Sequence, residues 1–202
     1  KLMTAYGYAG DAALALSNTE NDSLNSTKMN AKMYAEVFRL LGWVTSAGDN
    51  SYPLVFTYIG EHAALADDVL PLYEQCVLGI NNPQEIMDVK YDEKVRFFKA
   101  TLFSLQDLGG IMYKHELCLG PMSIDDLDKS QYNRMITYLK KLRGSYGRYQ
   151  DAYQALCDDL GVKPTLPDNS TRLPIAFMKT CGWVESQRTQ NCIHLNPWNA
   201  FA

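Results

Sequence analysis

Three kinds of side chain could carry chemistry in this chain: paired acid and lysine residues, histidines and cysteines. The strings "DVK" (Asp88, Lys90) and "DEK" (Asp92, Lys94), with Asp67 and Asp68 upstream, match the acid and lysine half of a metal-dependent nuclease, which needs several carboxylates around a divalent ion. They fall in a loop and a helix start without the apolar strand that would hold them rigid, so no complete active site is expected here. His62, His115 and His194 sit in different elements, none at metal-ligand spacing to another. His194 with Cys181 and Cys192 reads as packing. Cys76, Cys118, Cys157, Cys181 and Cys192 are odd in number and lack Cys-x-x-Cys spacing, which argues against a disulfide framework or a zinc knuckle. Gly-x-Ser-x-Gly elbows and phosphate-cradling glycine loops are absent. No catalytic residue, metal site or cofactor is expected in this chain.

Charge distribution is more informative. Over 129–150, "KSQYNRMITYLKKLRGSYGRYQ", there are six bases (Lys129, Arg134, Lys140, Lys141, Arg143, Arg148) and no acid, although the net charge of the 202 residues is -4. An acidic body with one basic strip suits a regular anionic partner, because the body discourages misplaced contacts while the strip attracts phosphate. A solvated helix face would look the same. Arg134, Lys140, Lys141, Arg143 and Arg148 are backbone-contact candidates, and Tyr132, Tyr138, Tyr146 and Tyr149 interleave with them as half-buried packing residues.

The elements that must position these residues repeat. "LLGWVTS" at 40–46 has a near copy, "TCGWVES", at 180–186. Before the first copy, Ser26 or Thr27 can cap "KMNAKMYAEVFRLL", with Met29, Met33, Val37, Leu40 and Leu41 at helical spacing and Gly42 as the stop. "WVTS" and "LVFTY" flank a turn-forming cluster and read as a hairpin, after which Thr57 caps a helix broken near Pro71. Before the second copy, Ser170 or Thr171 can cap "TRLPIAFMKTC", Gly182 stops it, and "WVESQ" and "CIHLN" form a hairpin whose wing is about four residues shorter.

Between the copies the pattern predicts further helices. "KVRFFKATLFSLQDL" carries an apolar stripe of Val95, Phe98, Leu102, Leu105 and Leu108 and ends at Gly109 and Gly110. "MYKHELCLG" reads as a short helix, and two longer ones end at Gly144 and Gly161. An earlier helical reading covers 9–17. The fold class is therefore mainly α: two winged-helix subdomains (helix-turn-helix plus β-hairpin), at 1–80 and 81–202, with additional helices inserted in the second.

In such a unit the helix before the hairpin enters the major groove and the wing touches backbone or minor groove. That nominates Lys28, Asn30, Lys32, Glu36 and Arg39, with Asn50 and Ser51 in the first wing. The second unit offers Asn169, Arg172 and Lys179, with Gln187, Arg188, Gln190 and Asn191 in its wing. Arg and Lys suit guanine, Asn and Gln adenine, and Glu cytosine. Trp43 and Trp183 open the strands as core or hairpin anchors.

The order "MYAEVFRLLGWVTS…PLVFTYIGEHAALA", "VRFFKATLFSLQDLGGIMYKHEL" and "TRLPIAFMKTCGWVES…CIHLNP" resembles the DNA-recognition region of type IIS restriction and nicking endonucleases of the AlwI and BstNBI kind. Those enzymes are similar to FokI in joining winged-helix recognition subdomains to a separate nuclease domain. The resemblance covers roughly residues 28–198 and is one of order and spacing. It implies sequence-specific binding of double-stranded DNA by a monomeric recognition part, linked to a PD-(D/E)xK nuclease domain that would use Mg. That nuclease region is not visible in this sequence. The chain opens on Lys1 and stops at "NPWNAFA", where Asn196 and Pro197 look like the start of a helix, so an excised piece of a longer protein is expected. No apolar run reaches the roughly 18 residues that cross a bilayer, and a cytoplasmic location is expected. Two other readings stay open: a non-enzymatic DNA-binding regulator, and a helical protein-interaction module.

Overall fold

A computed structural model describes Tyr34 and residues 37–46, 54–80, 96–124, 128–161 and 167–200. The expected helix at 9–17, the wing residues Asn50 and Ser51, and the acid and lysine strings at 88–94 lie outside the described residues, as do Lys28, Asn30, Lys32 and Glu36. The described part is mainly helical, with two small antiparallel sheets. The chain divides into two compact units, Lys1–Cys76 and Val77–Ala202.

In the first unit, residues 37–40 are helical and lead into β1 (Val44–Ser46), which pairs antiparallel with β2 (Leu54–Phe56). α1 (Tyr58–Leu65) follows, then α2 (Leu70–Gly79), within which the division between units falls. Thr57 caps α1 as its sequence position predicts: its hydroxyl accepts from the Gly60 amide at 3.0 Å. The helix break lies at Ala66–Val69, ahead of Pro71, because a proline is tolerated in a first turn where its missing amide would have no partner. Trp43 anchors the unit. Its ring stacks on Phe38 and meets Tyr73 edge-on, with centroids 5.6 Å and 6.2 Å away, and its indole nitrogen donates to the Cys76 sulfur at 3.4 Å.

The second unit begins with α3 (Phe97–Asp107), whose Phe98, Leu102 and Leu105 are buried with Leu108 just beyond it. Gly109 and Gly110, both at φ +82, end the helix and turn the chain into β3 (Ile111–Tyr113) and α4 (Lys114–Leu119). Met112 and Tyr113 thus belong to a strand, not to the short helix that local periodicity predicts. Their pairing partner is β5 (Cys192–Leu195), far downstream, with Met112 opposite Ile193. β4 (Val184–Gln187) completes the sheet in the order β3-β5-β4.

Inserted before that hairpin are α5 (Lys129–Leu142) and α6 (Tyr146–Leu160). Asp128 caps α5, and Gly161, in the left-handed region, ends α6. α5 buries Met135, Ile136, Leu139 and Leu142, and Leu139 packs where Gly120 leaves no side chain in its way. α7 (Pro167–Thr180) then leads into β4. It starts ahead of the expected cap at Ser170 or Thr171, because Pro167 occupies the first helical position, where its fixed φ is pre-set, and Thr171 is fully buried instead. Phe177 meets Phe98 of α3 edge-on at 5.8 Å, and Met178 is fully buried, which docks α7 on the core. The short α8 (Pro197–Ala200) follows β5, with the Asn196 side chain accepting from the Trp198 amide.

Candidate nucleic-acid interface

The two Gly-Trp-Val copies fold alike, bond for bond. Gly42 and Gly182 have φ values of +70 and +69. The Gly42 amide donates to Arg39 and the Trp43 amide to Phe38; correspondingly, Gly182 donates to Lys179 and Trp183 to Met178, all between 2.8 and 3.0 Å. These are the paired bonds that close a helix through a left-handed residue. At the far side of each hairpin the next amide returns to the tryptophan carbonyl, Thr57 to Trp43 at 3.0 Å and Asn196 to Trp183 at 2.7 Å. The residue so placed caps the following helix in both units. The glycine carbonyl is held as well, by the Thr57 hydroxyl in one unit and the Asn199 amide in the other.

This frame aims the helix that enters it. On α7 the buried side is Thr171, Pro174, Ile175, Phe177 and Met178, whereas Arg172, Ala176, Lys179 and Thr180 are exposed. At 100° per residue those four occupy an arc of about 100°, with Arg172 and Lys179 about 10 Å apart along the axis. Gln187, Gln190 and Asn191 are exposed on the adjoining hairpin. Asn191 sits at φ +51, a conformation Asn tolerates better than most side chains. Side chains of Asn169 and Arg188 are outside the described set. In the first unit Arg39 is half-buried in the last helical turn, and the 140-residue offset of the repeat aligns it with Lys179, and Lys32 with Arg172.

The basic strip is divided by the fold. Lys129, Arg134, Lys140, Lys141 and Arg148 are exposed, and among the described residues no carboxylate pairs with Lys140 or Lys141. Arg148 donates to the Lys141 carbonyl at 3.2 Å, which brings its cation to the end of α5. Arg134 and Tyr138 instead line an open groove of about 460 Å³ between α5 and α6, with Leu119, Leu156 and Asp159. Arg143 is consumed by the fold. Its Nε and Nη2 hold the fully buried Glu116 carboxylate at 2.8 and 3.1 Å, and it donates to the carbonyls of Leu108 and Ile111. Hydrogen bonding to Glu116 raises its pKa further. The Tyr149 hydroxyl and Tyr113 amide complete the carboxylate's shell, each at 2.9 Å. Charge counting along the sequence could not separate Arg143 from its neighbours, because its partner lies on a different helix.

The remaining candidates are dispersed. The Asp68 side chain accepts from the Leu70 amide ahead of α2, and Asp67 is exposed. His62 meets Tyr58 edge-on, and His115 lies among Tyr146, Tyr149 and Tyr153. Cys192 touches His194 at 3.4 Å, but burial raises its thiol pKa, so it is not a thiolate. Among the described residues no group of three His, Cys, Asp or Glu side chains could hold a metal ion, and no helix is long and apolar enough to cross a membrane.

No protein-family model, curated protein or solved structure matches the chain.

Proposed function

We propose that this chain recognises double-stranded DNA in a sequence-specific manner, with each unit built as a winged helix. The observation that carries the reading is the frame built twice from the same hydrogen bonds, combined with cations on the exposed face of the helix that enters it in the second unit. In that unit the order helix, short strand, helix, reading helix and hairpin, with the short strand joined to the hairpin, suits a winged helix carrying α5 and α6 as an insertion. Arg172 and Lys179 would reach base edges or phosphates, Gln187 and Asn191 would approach from the wing, and Lys140, Lys141 and Arg148 would grip backbone.

The order and spacing shared with type IIS restriction endonucleases extend this to a parent enzyme, in which the chain is the target-recognition part. Cleavage, and its Mg, would then belong to a nuclease domain outside the chain. The test is selection from a randomised duplex library at two salt concentrations. An enriched asymmetric motif with salt-dependent affinity supports the reading, since two non-identical units have no reason to select a palindrome. No enrichment and no salt dependence would remove it.

A further inference from the structure

The exposed face of α7 carries more than two cations. Between Arg172 and Lys179 stands Ala176, and beside Lys179 stands Thr180, both exposed. The Thr180 hydroxyl donates to the Ala176 carbonyl at 3.0 Å, so its hydrogen bond runs back along the helix. What Thr180 then presents outward is its methyl group. The centre of a cation-flanked face is therefore apolar and short, with no side-chain donor or acceptor free to read a hydrogen-bonding pattern.

One major-groove feature suits that chemistry. The thymine 5-methyl group is read by apolar contact, and Ala and the Thr methyl are both suited to make it. Short side chains let the helix approach the groove floor, while the longer Arg172 and Lys179 reach guanine edges or phosphates beside it. Resting on the duplex-DNA reading above, we propose that Ala176 and Thr180 recognise thymine methyl groups, and that position 176 sets the base preference of this unit. The 140-residue offset aligns Ala176 with Glu36 in the first unit, and a carboxylate favours the cytosine amino group instead. The two halves of the target would then differ in base preference even though their frames match.

The test uses the full chain and the duplex enriched from the randomised library, remade with uracil in place of thymine one position at a time. Uracil lacks only the methyl group. Affinity should fall about fourfold for each thymine methyl that the protein touches, the weight of burying one methylene-sized group. Selection with the A176E variant should move the enriched base at one position from thymine towards cytosine. Enrichment of a motif whose affinity is indifferent to uracil at every position would overturn this inference and leave DNA recognition standing. Absence of any enriched motif would overturn both.

Discussion

Replacing Arg143 with alanine should unfold the second unit more readily than any other single loss of a charge from the basic strip. Glu116 is fully buried, and two of the four donors on its carboxylate come from Arg143. In R143A that carboxylate keeps only the Tyr149 hydroxyl and the Tyr113 amide, both neutral. Breaking a buried pair by removing one partner costs about 3–5 kcal/mol. The Arg143 side chain is 30% exposed, so water can enter part of the vacated space, which places the expected loss near the lower end, about 3 kcal/mol. E116Q should cost less, about 1–2 kcal/mol, because the orphaned guanidinium can be hydrated while the amide keeps most of the shape. The double variant should lose less than the two single losses combined, as expected for groups that touch directly. Urea titration of the full chain by circular dichroism, at constant m, reads these losses. An R143A loss below about 1 kcal/mol, or an E116Q loss exceeding that of R143A, would refute the asymmetry expected from burial.

Three further outcomes follow from the same geometry. Alanine at Lys140, Lys141 or Arg148 should leave the urea midpoint nearly unchanged while reducing the slope of log affinity against log salt by about 0.9 for each phosphate no longer neutralised; an unchanged slope removes that residue from the interface. G60A should destabilise the first unit by about 3 kcal/mol or more, because its Cβ would stand 1.9 Å from the Trp43 carbonyl oxygen, a backbone atom that cannot rotate away; a near-neutral midpoint would contradict that close approach. Burial, with Cys157 nearby, pushes the Cys118 thiol up from 9.0 to about 12. A raised folded value means the stabilisation is fully present below pH 9 and is lost as pH rises towards 12. Stability should fall by about 1.4 kcal/mol between pH 8 and 10 through this thiol, with C118A showing a correspondingly smaller fall in urea titrations. Equal falls in both proteins would sink that assignment.

Local chemistry made much of the fold legible. Gly42, Gly182 and Gly161 announce helix ends because a left-handed residue is needed there, and Thr57 and Asn196 announce helix starts because free amides need an acceptor. The α3 stripe is readable because one buried face repeats at helical spacing. What stayed hidden depends on distant partners. β3 is three residues long and gains its identity from β5, about eighty residues later. Arg143 looks like any other strip cation until α4 supplies Glu116. On the candidate face, Arg172 and Lys179 were accessible from residue type alone. Ala176 was not, because a small apolar side chain becomes informative only once its exposure and flanking cations are known.

The most direct test is parallel selection from one randomised duplex library with the wild-type chain and an R172A/K179A variant, each at low and near-physiological salt. Sequence-specific recognition through α7 predicts an asymmetric motif for the wild type and, for the variant, loss of the part of the motif read by this unit, with a shallower salt slope. The same motif from both proteins, or no motif from either, would contradict it.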